Sequence, residues 1–132
     1  MNFEKTISYL QSKPEALLCY PFDPDVSVFK VMGKMFALIS PSGGKSPNKL
    51  PQMNLKCDPL HAQELRDVFD AVIPGYHMNK KHWNTVILDG SIPPSEIERM
   101  IDHSYTLVVK GLTKKERSQL QLHYSEAELF KD

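Results

Sequence analysis

Five histidines, two cysteines and a lysine-rich middle are the parts of this 132-residue chain that offer chemistry. His61, His77, His82, His103 and His123 are the potential metal ligands. Ligands come as close pairs, such as i, i+4 on a helix or i, i+2 on a strand. His77 and His82 are five apart across a turn, with no carboxylate or cysteine nearby in sequence to complete a set, so neither a metal nor a cofactor is expected. Cys57 with His77 or His82 would pair a nucleophile with a base. Alternation instead places Cys57 with Met53 and Leu55 on a buried face, where a thiol is inert. Ser42-Gly43-Gly44-Lys45-Ser46 invites a phosphate-loop reading, but Ile39 stands where the first glycine belongs, and Pro47 and a strand follow where a helix should start. No Gly-x-Ser-x-Gly elbow is present. The expectation is a binding protein, not an enzyme.

The lysines give that expectation a direction. Formal net charge is zero, yet from Val26 to Cys57 the chain carries Lys30, Lys34, Lys45, Lys49 and Lys56 and no acid. Tyr76 to Leu88 carries Lys80 and Lys81, again without an acid. Phosphates need positive side chains or backbone N–H groups, and bases need aromatic faces to stack on. Two basic hairpins would supply the charge, with His82 and Trp83 beside the second. Asn79 and Asn84 would offer paired donors and acceptors to a base edge. The competing reading makes these lysines ordinary solubility residues, and Trp83 a core anchor with its indole N–H on a backbone carbonyl. A protein or small-ligand adaptor, or a homodimer, is the alternative function.

These residues must be positioned by elements that the pattern predicts. Asn2 caps a helix to about Gln11, with Phe3, Ile7 and Leu10 on one face. Val26–Met32 and Met35–Ser40 read as strands joined by a Gly33-Lys34 turn. The segment 40–51 is a loop rich in proline, glycine and serine, and Gln52–Cys57 is a third strand. Asp58-Pro59 opens a helix carrying Leu65, Val68, Phe69 and Val72, stopped by Pro74-Gly75. Tyr76–Met78 and His82–Leu88 read as strands joined through Asn79-Lys80-Lys81. A helix over Pro94–Lys110 sets Ile97, Met100, Ile101, Tyr105 and Val108 on one stripe. Thr113-Lys114-Lys115-Glu116 is a capping box for a last helix. Short turns between strands and separate blocks of helix predict an antiparallel sheet with helices on one face, an α+β fold.

Several segments resemble the MmcQ/YjbR family. They are Tyr20-Pro21-Phe22-Asp23-Pro24-Asp25-Val26, Val31-Met32-Gly33-Lys34-Met35-Phe36-Ala37, Leu55-Lys56-Cys57-Asp58-Pro59, the run from Pro74 to Val86 containing Lys80-Lys81-His82-Trp83-Asn84, and Asp102-His103-Ser104-Tyr105. The resemblance covers about Phe3 to Leu112, so residues 1–112 form the family-like domain and 113–132 a helical extension of it. It implies a frataxin-like (CyaY-like) sandwich and a DNA-binding role through a double-wing arrangement. Iron delivery, which that fold also suggests, would need a row of acids on the first helix, and only Glu4 stands there, against Lys5. No apolar run of spanning length and no basic-then-apolar leader are read from the sequence, and the two cysteines lack C-x-x-C spacing. The expectation is a cytoplasmic protein with Cys19 and Cys57 reduced and mostly buried.

Overall fold

The computed structural model describes residues 1–42, 50–75 and 78–131. The chain runs α1 (Phe3–Gln11), β1 (Leu17–Cys19), β2 (Ser27–Val31), β3 (Lys34–Ser40), β4 (Gln52–Lys56), α2 (Pro59–Val68), β5 (Val72–Pro74), β6 (Trp83–Ile87), α3 (Pro94–Lys110), α4 (Lys114–Gln121) and α5 (Glu126–Leu129). The strands form one sheet in the order β1-β2-β3-β4-β6-β5, and every neighbouring pair is antiparallel.

Side-chain alternation decides which face meets the helices. Val31, Ala37, Ile39, Met53, Leu55 and Val86 point to one side and are buried in a single cluster with Ile97, Ile101, Tyr105 and Val109 of α3. Leu10 of α1, Leu120 of α4 and Leu129 of α5 close the same cluster. The expected stripe of α3 is therefore the one that packs, and α3 has the expected bounds. The tail is anchored too. Ser125 and Glu128 make a second capping box, and Leu129 is fully buried. Among the described residues no helix is long and apolar enough to cross a membrane.

Three local expectations are corrected. The β2–β3 turn is Met32-Gly33, not Gly33-Lys34, because Val31 pairs with Lys34. Both turn residues have positive φ (50° and 79°), as a type I′ hairpin turn requires. Helix α2 stops at Val68, and Phe69 is already extended (φ −118°, ψ 118°). Val68 is 71% exposed instead of packed, and Val72–Pro74 leaves to pair with β6 as an edge strand. Among the described residues the strand that pairs with β6 in the second hairpin is β5. Residues 76–77 lie outside the described residues, and Met78 is in a bend. The unforeseen β1 is three residues long, made from the Leu17-Leu18-Cys19 run.

A bulge shapes the middle of the sheet. Phe29 pairs with Ala37 and Lys30 with Met35, which leaves Phe36 as the extra residue on β3. The extra residue turns Phe36 inward, where its ring meets Tyr105 edge-on at 5.2 Å. The β3–β4 ladder ends at Ala37–Leu55, and a side chain takes over from it. Ser104 Oγ donates to the Phe36 carbonyl at 2.6 Å and accepts the Lys56 N–H at 2.9 Å. A helix hydroxyl therefore satisfies two backbone groups that the bulge would otherwise leave unpaired.

Candidate nucleic-acid interface

The strand directions place both basic hairpins together. β3 starts at Lys34 where β4 ends at Lys56 and β6 begins at Trp83, so the β2–β3 turn and the β5–β6 connection sit at the same end of the sheet. Only β4 separates the two hairpins in the sheet order. At about 4.8 Å per strand, their axes lie roughly 14 Å apart.

The six strands contain three charged side chains, Lys30, Lys34 and Lys56, and no acid. Leu55 and Asn84 face the helices, so their neighbours Lys56 and Trp83 face away, directly opposite each other in register. Lys30 shares that outer face, since its neighbours Phe29 and Val31 are in the core. Lys34 does not act there. Bonds from the Thr113 N–H and hydroxyl hold the Glu116 carboxyl below its usual range, and the nearby Lys34 charge adds to this. Lys34 therefore lies towards α4. Lys80 and Lys81 are exposed on the β5–β6 connection. Lys45 and Lys49 lie outside the described residues. Their flanking residues Ser40 and Gln52 pair with each other at the opposite end of the sheet from the hairpins.

The remaining candidates divide. Trp83 is half-buried on the outer face, away from the core that the alternative reading assigns to it. Asn79 holds a turn, its Oδ1 accepting the Lys81 N–H at 3.0 Å and its carbonyl the His82 N–H at 3.1 Å. His82 is half-buried, and its carbonyl accepts the Cys57 N–H at 2.8 Å. Asn84 is 2% exposed and points inward, so no base edge can reach it. Its Oδ1 accepts from Arg66 Nε at 2.7 Å, and Arg66 Nη2 also donates to the carbonyls of Lys80 and Trp83. Arg66 therefore ties the second hairpin to α2, a role that no local pattern in the sequence signals.

Two polar residues outside the sequence candidates stand on the outer face instead. Gln52 and Asn54 precede Lys56 at every second position of β4, between the inward Met53 and Leu55. Asn54 Oδ1 accepts the hydroxyl of Thr85 across the strand pair. The alternation of β4 carries this signal in the sequence. What is missing there is which face the helices cover.

On the covered face, a small cleft between α2 and α3 is lined by Cys57, Leu65, Val86, Met100 and His103. Burial, with the Asp58 charge adding, pushes the Cys57 thiol up to about 11. It stays protonated at neutral pH and is a poor nucleophile. His103 Nε2 accepts the Asp58 N–H at 3.4 Å, and its ring meets that of His61 edge-on at 5.1 Å. Among the described residues no three His, Cys, Asp or Glu side chains converge as metal ligands. Cys19 is free, like Cys57, but is half-buried on the outer face instead of mostly buried.

This architecture defines an α+β protein whose antiparallel sheet is covered by helices on one face, with lysine and tryptophan on the other. The chain belongs to the YjbR family, whose model matches residues 11–107. The uncharacterised protein YbdF of Escherichia coli O157:H7 is 38% identical over 108 residues, covering 82% of this chain and 84% of that one. YjbR of Escherichia coli K12 is 34% identical over 120 residues, 91% of this chain and 98% of its own. Among solved structures, the DUF419 protein DR2400 of Deinococcus radiodurans superposes with a TM-score of 0.78 at 37% identity, covering 91% and 88% of the two chains. A Pseudomonas syringae protein gives 0.70 at 33%, covering 81% and 98%.

Proposed function

We propose that this protein is a non-enzymatic nucleic-acid-binding module that works through the outer sheet face and the hairpin end beside it. The observation that carries this is the charge of the sheet: its strands hold lysines and no acid, with Lys56 opposite Trp83 on the face the helices leave uncovered. A zero net charge is compatible with this reading, because the acids lie on helices and connections. What a polyanion meets is the local field. In the same reading the fold is a frataxin-like sandwich, supported by the one-sided helix layer, and the protein works in the cytoplasm, where both thiols stay reduced.

The working set is Lys30, Lys56, Lys80 and Lys81, with Trp83 among them. If each lysine neutralises one phosphate, log K falls against log[salt] with a slope of about −3.6 for duplex and about −2.8 for single-stranded DNA. Replacing Lys80 and Lys81 by Ala lowers the magnitude of the slope by about two. Oligonucleotide anisotropy at about 50 mM salt with tens of micromolar protein reads both effects, since non-specific affinities of 10⁻⁴–10⁻⁶ M are visible there. Absence of binding to any nucleic acid under those conditions overturns the reading.

A second reading is a protein-binding adaptor. It draws on edge strand β1 and the turn after it, where Leu17, Tyr20 and Phe22 are 65%, 53% and 70% exposed. It is the function left if nucleic acid does not bind.

A further inference from the structure

We infer that the ligand of the outer face is a single-stranded nucleic acid, with one base stacked on Trp83 and the adjoining phosphate on Lys56. The inference rests on the nucleic-acid reading above and names its substrate class. A duplex keeps its bases stacked on one another, so an aromatic side chain can take a base only after extrusion or from a single strand. Trp83 stands half-buried on a pleated sheet opposite Lys56, and an unpaired base can reach such a ring without being driven out of a helix.

The neighbours of Trp83 suit a nucleotide. Lys56 is its direct partner across the β4–β6 pair, and side chains opposed in this way are about 5 Å apart at Cβ. On the other flank is Gly75, whose N–H donates to the Trp83 carbonyl at 2.9 Å and which has no side chain to compete for the ring. Along β4 from Lys56, Asn54 and Gln52 carry amides on the same face. Amides hydrogen-bond exposed base edges, and the edges of a single strand are open. The face therefore offers a cation, a stacking ring and an amide row within two strands, the three contacts that one or two unpaired nucleotides require.

Trp83 is the sole tryptophan of the chain, so its intrinsic emission reports on this site alone. Titration with a short oligo-dT should quench that emission in step with the anisotropy of the labelled strand. A matched duplex should bind more weakly and leave the emission unchanged, and an oligo-rU should quench it as oligo-dT does. Trp83→Leu should weaken oligo-dT binding by about 5- to 150-fold at constant salt slope. Lys56→Gln, on a half-exposed side chain, serves if the tryptophan variant does not fold, and should reduce the slope by about 0.7. Duplex binding as tight as single-strand binding, or saturation without quenching, overturns the inference while leaving the nucleic-acid reading intact. Failure of every oligonucleotide to bind removes both.

Discussion

Arg66 Nε donates to Asn84 Oδ1 at 2.7 Å, joining the last turn of α2 to a β6 side chain that is almost fully buried. The same guanidinium reaches two carbonyls of the second hairpin. Arg66→Ala strands a buried acceptor and should cost about 1–3 kcal/mol, read from urea unfolding. Arg66→Lys should recover little of this, because an ammonium cannot spread its donors over three oxygens in one plane. Equal stability of Arg66→Ala and the parent would show that the hairpin stands without its tie.

Asp102 Oδ1 takes both the Lys13 ammonium at 2.8 Å and the Tyr9 hydroxyl at 2.7 Å. The ion pair is buried, and the Lys13 ammonium also lies 5.0 Å from the Tyr105 ring centroid. Lys13→Met leaves a buried carboxylate without its cation and should cost about 3–5 kcal/mol. The double variant Lys13→Met with Asp102→Leu should lose less than Lys13→Met alone, since no unpaired charge remains. A loss equal to the sum of the two single losses would show that the groups do not interact.

The Cys57 thiol titrates at about 11 in the folded chain, against 9.0 for the free group. The neutral form is the one the fold favours. Its stabilisation is therefore complete below pH 9 and is lost as pH rises through 11. Denaturant titrations of the parent and of Cys57→Ala should converge over that range, and a constant difference would contradict the assignment. At pH 8 a thiol reagent should modify the half-buried Cys19 well before Cys57.

Gly75 passes so close to β6 that a Cβ there would lie 2.8 Å from both the Cβ and the carbonyl oxygen of Trp83. Neither atom is the far end of a flexible side chain, so the strand must move. Gly75→Ala should cost about 1–3 kcal/mol and shift the emission of Trp83. An unchanged melting curve would mean that β5 gives way freely.

The long-period patterns were legible in the sequence and the short ones were not. α3 spans the expected residues because five apolar positions repeat over about three turns, and the caps at Asn2, Asp58 and Thr113 each hold the predicted helix start. The expected continuation of α2 through Val72 fails because Leu65, Phe69 and Val72 satisfy a helical repeat while the pairing of Val72 with Val86 decides otherwise. β1 and β5 are edge strands of three residues, too short for periodicity to register. The candidate site suffered from the same gap. Lys30, Lys56 and Trp83 share a face, yet that face is fixed by register and by the side the helices choose. Asn84 points to the covered side for that reason, and the alternation of β4 alone does not say that Gln52 and Asn54 stand on the open one.

Asp102, His103, Ser104 and Tyr105 each hold a different part of the molecule: Tyr9 of α1 with Lys13 just after it, the Asp58 N–H at the start of α2, the end of the β3–β4 ladder beside the bulge, and the Pro14 carbonyl before β1. Successive residues of a helix point about 100° apart, so these four fix α3 around its whole circumference. It can neither roll nor slide on the sheet without breaking several bonds at once. The sheet is thus backed by a clamped beam, and its outer face is stiff before anything meets it. An encounter on that face begins from one conformation and needs no ordering of the platform, so the entropy left to lose belongs to the incoming molecule.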